Sequence, residues 1–308
     1  MSLEITRSDA RVAALTGLID YAGLFPPARL EMAAAVAGYR SARGGSNAWM
    51  VDRFVCPASR LTELTGVLMA TMGDGEEPWR LTVTADGGPD EIGVDALLID
   101  TFEVEMDGAA IAEVVEMPLP SSDATTWIAR AADLFSRAMF FEIPWREGGT
   151  IALDSVASAR DATRVLLGAK LRCGGLAADA FPPPEVVAVV IAACRDRGLP
   201  LKTTAGLHHP FRHLDPATGF THHGFVNLLV ACTAAEAGRD MATLTAMVAD
   251  DDPRSFALDR EGVRWRDEKF GASSVSRGRQ SLFVGYGSCS FDEPVDDLTA
   301  LGVLPVMR

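Results

Sequence analysis

The chain has 308 residues, 48% of them hydrophobic, a length that fits one large barrel or two ordinary domains. Its formal charge is −14 and no cluster of Lys or Arg is visible, which argues against nucleic acid and anionic membranes but leaves room for a small anion held by a few cations. No apolar run reaches the roughly 18 residues of a membrane span. The opening residues lack a basic and apolar leader, and five scattered cysteines without a CxxC pair suit free thiols in a reducing cytoplasm.

Short apolar runs alternate with helix-length amphipathic segments. The run "GLIDYAG" (17–23) precedes "ARLEMAAAVAGYRSAR", and "WMVDRFVCP" (49–57) precedes "SRLTELTGVLMATM". Next come "WRLTVTAD" (79–86) with "PDEIGVDALLIDTF", and "AEVVEMPLP" (112–120) with "DATTWIARAADLFSR". "AMFFEIPW" (138–145) leads into "LDSVASARDATRVLL". "GAKLRCGG" (168–175) leads into "PPPEVVAVVIAACRDRG", where Pro182–Pro184 suit a helix start and Gly198 a helix end. "LPLKTTAG" (199–206) is followed by a long loop and "GFVNLLVACTAAEAG". Residues 236–280 read as an insertion, with "MATLTAMVAD" as a helix and "SFALDREGVRWRDEKF" as a hairpin closed around Glu261-Gly262. The last run, "SLFVGYGSCS" (281–290), precedes "SFDEPVDDLTALG", in which Ser290 and Glu293 form a capping-box pattern.

Alternating strands and helices imply βαβ units and a parallel sheet. Eight units in this length predict an α/β fold, a single (β/α)8 TIM barrel over 1–308 with a helix and hairpin inserted before the last strand. The rival is an open doubly wound sheet, but no strand is followed by GxGxxG.

A strand points alternate residues to opposite sides. Lys170 and Arg172 therefore share one face, Lys202 and Thr204 another, and Thr82, Thr84 and Asp86 a third, while Glu116 and Glu142 each face the same way as an apolar neighbour. The outward faces must meet helices, so these polar sets point into the barrel near the C-terminal strand ends, where barrel enzymes hold their chemistry. A structural ion-pair layer, Glu142–Lys170 or Glu116–Arg172, is the alternative for single residues. Burying Asp86, Glu116, Glu142, Lys170, Arg172 and Lys202 together points to function, because apolar replacements are often as stable.

All five histidines fall between 208 and 223, in the loop after the seventh strand. His208 and His209 stand closest to the strand end and suit proton shuttling; Arg212 in the same loop can grip a carboxylate or phosphate. Asp20 at the first strand, with Ser288 and Ser290 at the last, are further substrate-binding candidates. Cys56 and Cys289 lie near strand ends, although most free cysteines are inert.

A lysine on strand six with a second on strand seven resembles the class I aldolases of the deoxyribose-phosphate aldolase type. The resemblance implies Lys170 as imine-forming nucleophile and Lys202 as its perturber. The order Asp86, Glu116, Glu142, Lys170, with "GG" after the lysine, is also similar to the enolase-superfamily barrel, which implies three carboxylates on Mg²⁺ or another divalent metal and a lysine base. These residues imply a cytoplasmic barrel enzyme, either a monomer or a homo-oligomer, acting without a cofactor on a small anionic carbonyl metabolite by lyase or aldolase chemistry. Lys170, Lys202, Glu142, His208 and His209 are its catalytic candidates, and Arg172, Asp20, Glu116, Thr204, Arg212, Ser288 and Ser290 its substrate-binding ones. The alternatives are metal-assisted enolisation or hydrolysis, and a silent barrel that binds a ligand or a partner.

Overall fold

A computed structural model describes residues 9–120, 123–146 and 149–304, and in it each of the eight apolar runs forms a strand. The first seven are β1 (Ile19–Tyr21), β2 (Val51–Pro57), β3 (Trp79–Thr84), β4 (Ala110–Pro118), β5 (Ala138–Glu142), β6 (Leu167–Arg172) and β7 (Leu201–Thr204). The loop after β7 carries two antiparallel pieces, β8 (His213–Leu214) and β9 (Thr221–His222). The insertion holds β10 (Phe256–Leu258), β11 (Gly262–Trp265) and β12 (Glu268–Gly271), and β13 (Phe283–Ser288) is the eighth barrel strand. The barrel closes in the order β1-β13-β7-β6-β5-β4-β3-β2, every pair parallel, so the barrel itself has no edge strand.

The helices are α1 (Ala10–Leu15), α2 (Met32–Gly44), α3 (Leu61–Thr71), α4 (Ile92–Met106), α5 (Ala124–Phe135), α6 (Gly149–Ala162), α7 (Pro184–Arg197), α8 (Phe225–Glu236), α9 (Met241–Ala249), α10 (Ala272–Arg277) and α11 (Asp292–Ala300). Pro184 sits in the first turn of α7, and Gly198 ends that helix in the left-handed region at φ +60°. The outward strand faces pack under these helices. Tyr39 of α2, Phe54 of β2 and Trp79 of β3, for example, bring their ring centroids within 4.8–5.5 Å of one another.

α8 differs from a usual barrel helix in being buried from Phe225 to Ala235. The inserted α9 and the turn Gly278–Leu282 cover its outer side. That explains why its sequence is apolar all round. Its one amide, Asn227, is fully employed: Oδ1 accepts from the Arg212 backbone, and Nδ2 donates to the carbonyls of Met247 and Asp250.

The insertion departs from the predicted hairpin. The β10–β11 turn does close at Asp259–Glu261, with the Asp259 carboxylate accepting from the backbone of Glu261 and Gly262. A second turn then follows β11, because Arg266 takes a left-handed φ of 51°, and β12 makes a three-stranded antiparallel sheet. Non-Gly residues rarely adopt this conformation, so the run "VRWRDEKF" reads as one strand when it is two. Among the described residues no helix is long and apolar enough to cross a membrane.

Candidate active site

A cavity of about 800 Å³ opens at the C-terminal ends of the barrel strands. Asp20, Glu116, Lys170, Arg172 and Thr204 reach it from β1, β4, β6 and β7. Strand register sets their level: β6 pairs Lys170 with Lys202 of β7, and β5 pairs Glu142 with Lys170. Loops supply the walls. Phe181 stacks on His222 with centroids 4.7 Å apart, and Phe220 packs beside it. Gly174 and Gly206 let the loops after β6 and β7 meet; a Cβ on Gly174 would lie 2.8 Å from the Phe181 ring and 3.1 Å from the Gly206 Cα.

Six charged groups form one chain across the cavity floor. Asp20 pairs with Lys202, Lys202 with Glu116 at 2.5 Å, and Glu116 with Lys170 at 2.7 Å. Lys170 lies 3.8 Å from Glu142, which holds the Arg172 guanidinium at 3.0 Å. Three carboxylates thus face three cations and the chain is formally neutral. Asp20 also accepts from Thr82 Oγ1 at 3.0 Å and from the Arg53 backbone at 3.2 Å. Beneath it, Asp52, Arg53, Arg80 and Glu113 form a second charged group near the N-terminal strand ends.

The inner end of the chain is locked and the outer end is loose. Asp20, Glu116, Lys170 and Lys202 are each at most 7% exposed. Burial disfavours the charge on Glu116, but the ammonium groups of Lys170 and Lys202 outweigh it and draw its pKa down to about 2. Burial likewise disfavours charged Lys202, yet Asp20 and Glu116 hold its pKa above the ordinary lysine value. At neutral pH this pair is a fixed carboxylate and a fixed ammonium, and neither is poised to exchange protons. Arg172 is exposed and Glu142 half-buried, so their pair can open to a ligand.

Four histidines stand around the mouth. His208 Nδ1 contacts Glu293 at 2.9 Å, His209 Nδ1 contacts Asp297 at 2.7 Å, and His213 Nδ1 donates to the Phe211 carbonyl at 2.9 Å. His209 and His213 meet edge to face, with centroids 4.7 Å apart. His222 lies 3.8 Å from Asp215, and burial lowers its pKa. His223 turns away: it is buried, its Nε2 donates to the Pro182 carbonyl at 2.7 Å, and burial lowers its pKa to about 4.

The structure brings Lys170, Lys202, Glu116, Glu142, Arg172 and Asp20 together. It places Thr204, His208, His209 and Ser290 on the cavity wall, with Lys202 below the accessible surface and over the Phe140 ring at 5.4 Å. Ser288 is buried and accepts from the Ser290 backbone at 3.3 Å. Arg212 is not on the cavity wall. The pairing Glu116–Arg172 gives way to Glu142–Arg172, because Glu116 lies deeper, between the two lysines.

Asp86 stands apart. Its carboxylate accepts from the backbone of Ser59 at 3.0 Å and from its hydroxyl at 2.5 Å, in the exposed loop after β2. Asp86, Glu116 and Glu142 therefore do not converge, and Glu116 is already taken by two ammonium groups. These residues do not fit a divalent cation, and among the described residues no group of three or more His, Cys, Asp or Glu is arranged to hold a metal.

Chain order hid some of the site. The aromatic wall from Phe25, Phe181 and Phe220 comes from loops with no periodicity to read. Cys289 lines the cavity with its thiol 3.8 Å from His208 Nε2, whereas Cys56 is buried and its pKa raised by that burial. Ser290 Oγ accepts from the Glu293 backbone at 3.2 Å as a cap should, but the Glu293 side chain goes to His208 and leaves the capping box half made. A scarcity was available in the composition: the chain has three lysines, and two of them are buried inside the barrel.

Fold and site together define the class, a (β/α)8 barrel with a charged cavity at the C-terminal strand ends. No protein-family model matches the sequence, and no curated protein matches it.

Proposed function

We propose that the protein is a lyase of aldolase type acting on a small metabolite that carries a carbonyl and an anionic group, with Lys170 as the reacting amine. One observation carries this reading. Lys170 is the single lysine on the cavity wall, and it stands between a locked carboxylate, Glu116, and one that can be released, Glu142. The anionic group of the ligand competes with Glu142 for the Arg172 guanidinium. Glu142, freed from Arg172, becomes the base for the ammonium proton of Lys170. The neutral amine then attacks the carbonyl carbon, a C–N bond forms, and water leaves to give an imine. The imine accepts the electron pair of a breaking C–C bond, and His208 or His209 moves the proton that the other fragment gains or loses. Lys202 and Asp20 position Glu116 and keep the floor charged.

Reduction with sodium cyanoborohydride in the presence of pyruvate, glyoxylate and small aldehydes tests the reading by intact mass. A covalent adduct of one reduced imine per chain is expected. No adduct with any of these compounds would remove the lysine chemistry and leave a binding barrel.

A further inference from the structure

Cys289 follows β13 directly, and its thiol lies 3.9 Å from Nδ1 and 3.8 Å from Nε2 of His208. His208 in turn places Nδ1 against the Glu293 carboxylate at 2.9 Å. That contact fixes the proton on Nδ1, because a carboxylate only accepts, and leaves the Nε2 lone pair free. Nucleophile, base and orienting carboxylate thus succeed one another, which is the constellation of an activated nucleophile. The other four cysteines are buried. Cys289 is the one on the cavity wall, together with His208 and Glu293.

We propose that Cys289, His208 and Glu293 form a second reactive centre in this cavity, with the thiol as nucleophile toward an electrophilic carbonyl carbon, His208 as its base and Glu293 as the positioning residue. The carbonyl class rests on the function proposed above; the three-residue centre does not. The Sγ–C bond forms as the carbonyl π pair moves onto oxygen. The thiol proton passes to His208 Nε2 and then to that oxygen, so the sum is a neutral thiohemiacetal and needs no oxidant or co-reactant. The thiol is nearly equidistant from both ring nitrogens, so the imidazole turns about its Glu293 contact to align Nε2 with the thiol. Such contacts commonly tighten when a ligand binds.

Iodoacetamide tests the centre without any lysine chemistry, since S–C forms, iodide leaves and the proton goes to His208. At pH 7 wild-type Cys289 should be alkylated about tenfold faster than glutathione, because base assistance of about 100-fold or more outweighs the burial that raises the thiol pKa. His208→Asn should fall below glutathione. Glu293→Gln, at a half-exposed position, should lose about tenfold. Glyoxylate should slow the reaction of wild type and of Lys170→Met alike, since this protection does not need the lysine. Equal rates in wild type, H208N and E293Q would overturn the centre. Absence of glyoxylate protection with the rate differences intact would overturn its carbonyl substrate. Imine trapping on lysine, read separately, leaves both outcomes unchanged.

Discussion

Glu116→Gln removes the carboxylate that separates two buried ammonium groups. The change keeps the shape, so its effect is electrostatic. In the folded chain Glu116 has a pKa of about 2 against an ordinary 4.5. At about 1.36 kcal/mol per pKa unit, its ionised form contributes about 3 kcal/mol to stability. Removing one partner of a buried pair costs about 3–5 kcal/mol by mutation, a matching size. Because the folded pKa lies below the unfolded one, this contribution is complete above about pH 4.5 and is lost as pH falls toward about 2. Urea unfolding followed by tryptophan fluorescence measures both. E116Q should lose about 3–5 kcal/mol at pH 7 and lack this part of the wild-type acid slope. Adding Lys202→Met should cost about 1–3 kcal/mol less than the sum of the single changes, since the two groups touch at 2.5 Å. An E116Q protein within about 1 kcal/mol of wild type, or additive single changes, would refute the charge chain as a linked unit.

Other outcomes follow from the same geometry. The pKa of His223 is depressed from 6.5 to about 4 by burial, so its contribution of about 3 kcal/mol is complete above pH 6.5 and lost toward pH 4; unfolding of His223→Asn between pH 7 and 4 should lack this slope. Asp86→Ala breaks two bonds to Ser59 and should cost about 1–2 kcal/mol in urea unfolding, while adduct formation on Lys170 stays at the wild-type rate. Arg172→Gln should raise the oxo-acid concentration for half-maximal trapping by about tenfold or more, because a charge-assisted anion contact is worth about 1.5–3 kcal/mol. Gly174→Ala meets the Phe181 ring and the Gly206 backbone and should lower stability by about 1–3 kcal/mol, read as a drop in Tm.

Much of this was legible in the chain, for a simple reason. A parallel barrel buries both faces of every strand, so polar residues at alternate positions in β4, β6 and β7 had to point inward. That logic placed Glu116, Lys170, Arg172, Lys202 and Thr204. It failed at Asp86, two residues beyond the end of β3, where alternation has stopped and Ser59 captures the carboxylate. It undervalued Asp20, whose three-residue strand is too short to show a period. The pair Glu142–Lys170, on neighbouring strands, was readable, but the partners of Glu116 were not, because it reaches across the interior to β6 and β7, strands that do not neighbour β4. Nor was the Cys289–His208 contact, which joins loops 81 residues apart.

Peptide mapping of the reductively trapped protein tests the central claim most directly, because it separates Lys170 from the other two lysines and from the α-amine. The reduced adduct should reside on the peptide containing Lys170, and Lys170→Met should abolish it. An adduct on Lys202 or Lys269, or one that persists in Lys170→Met, would contradict the account.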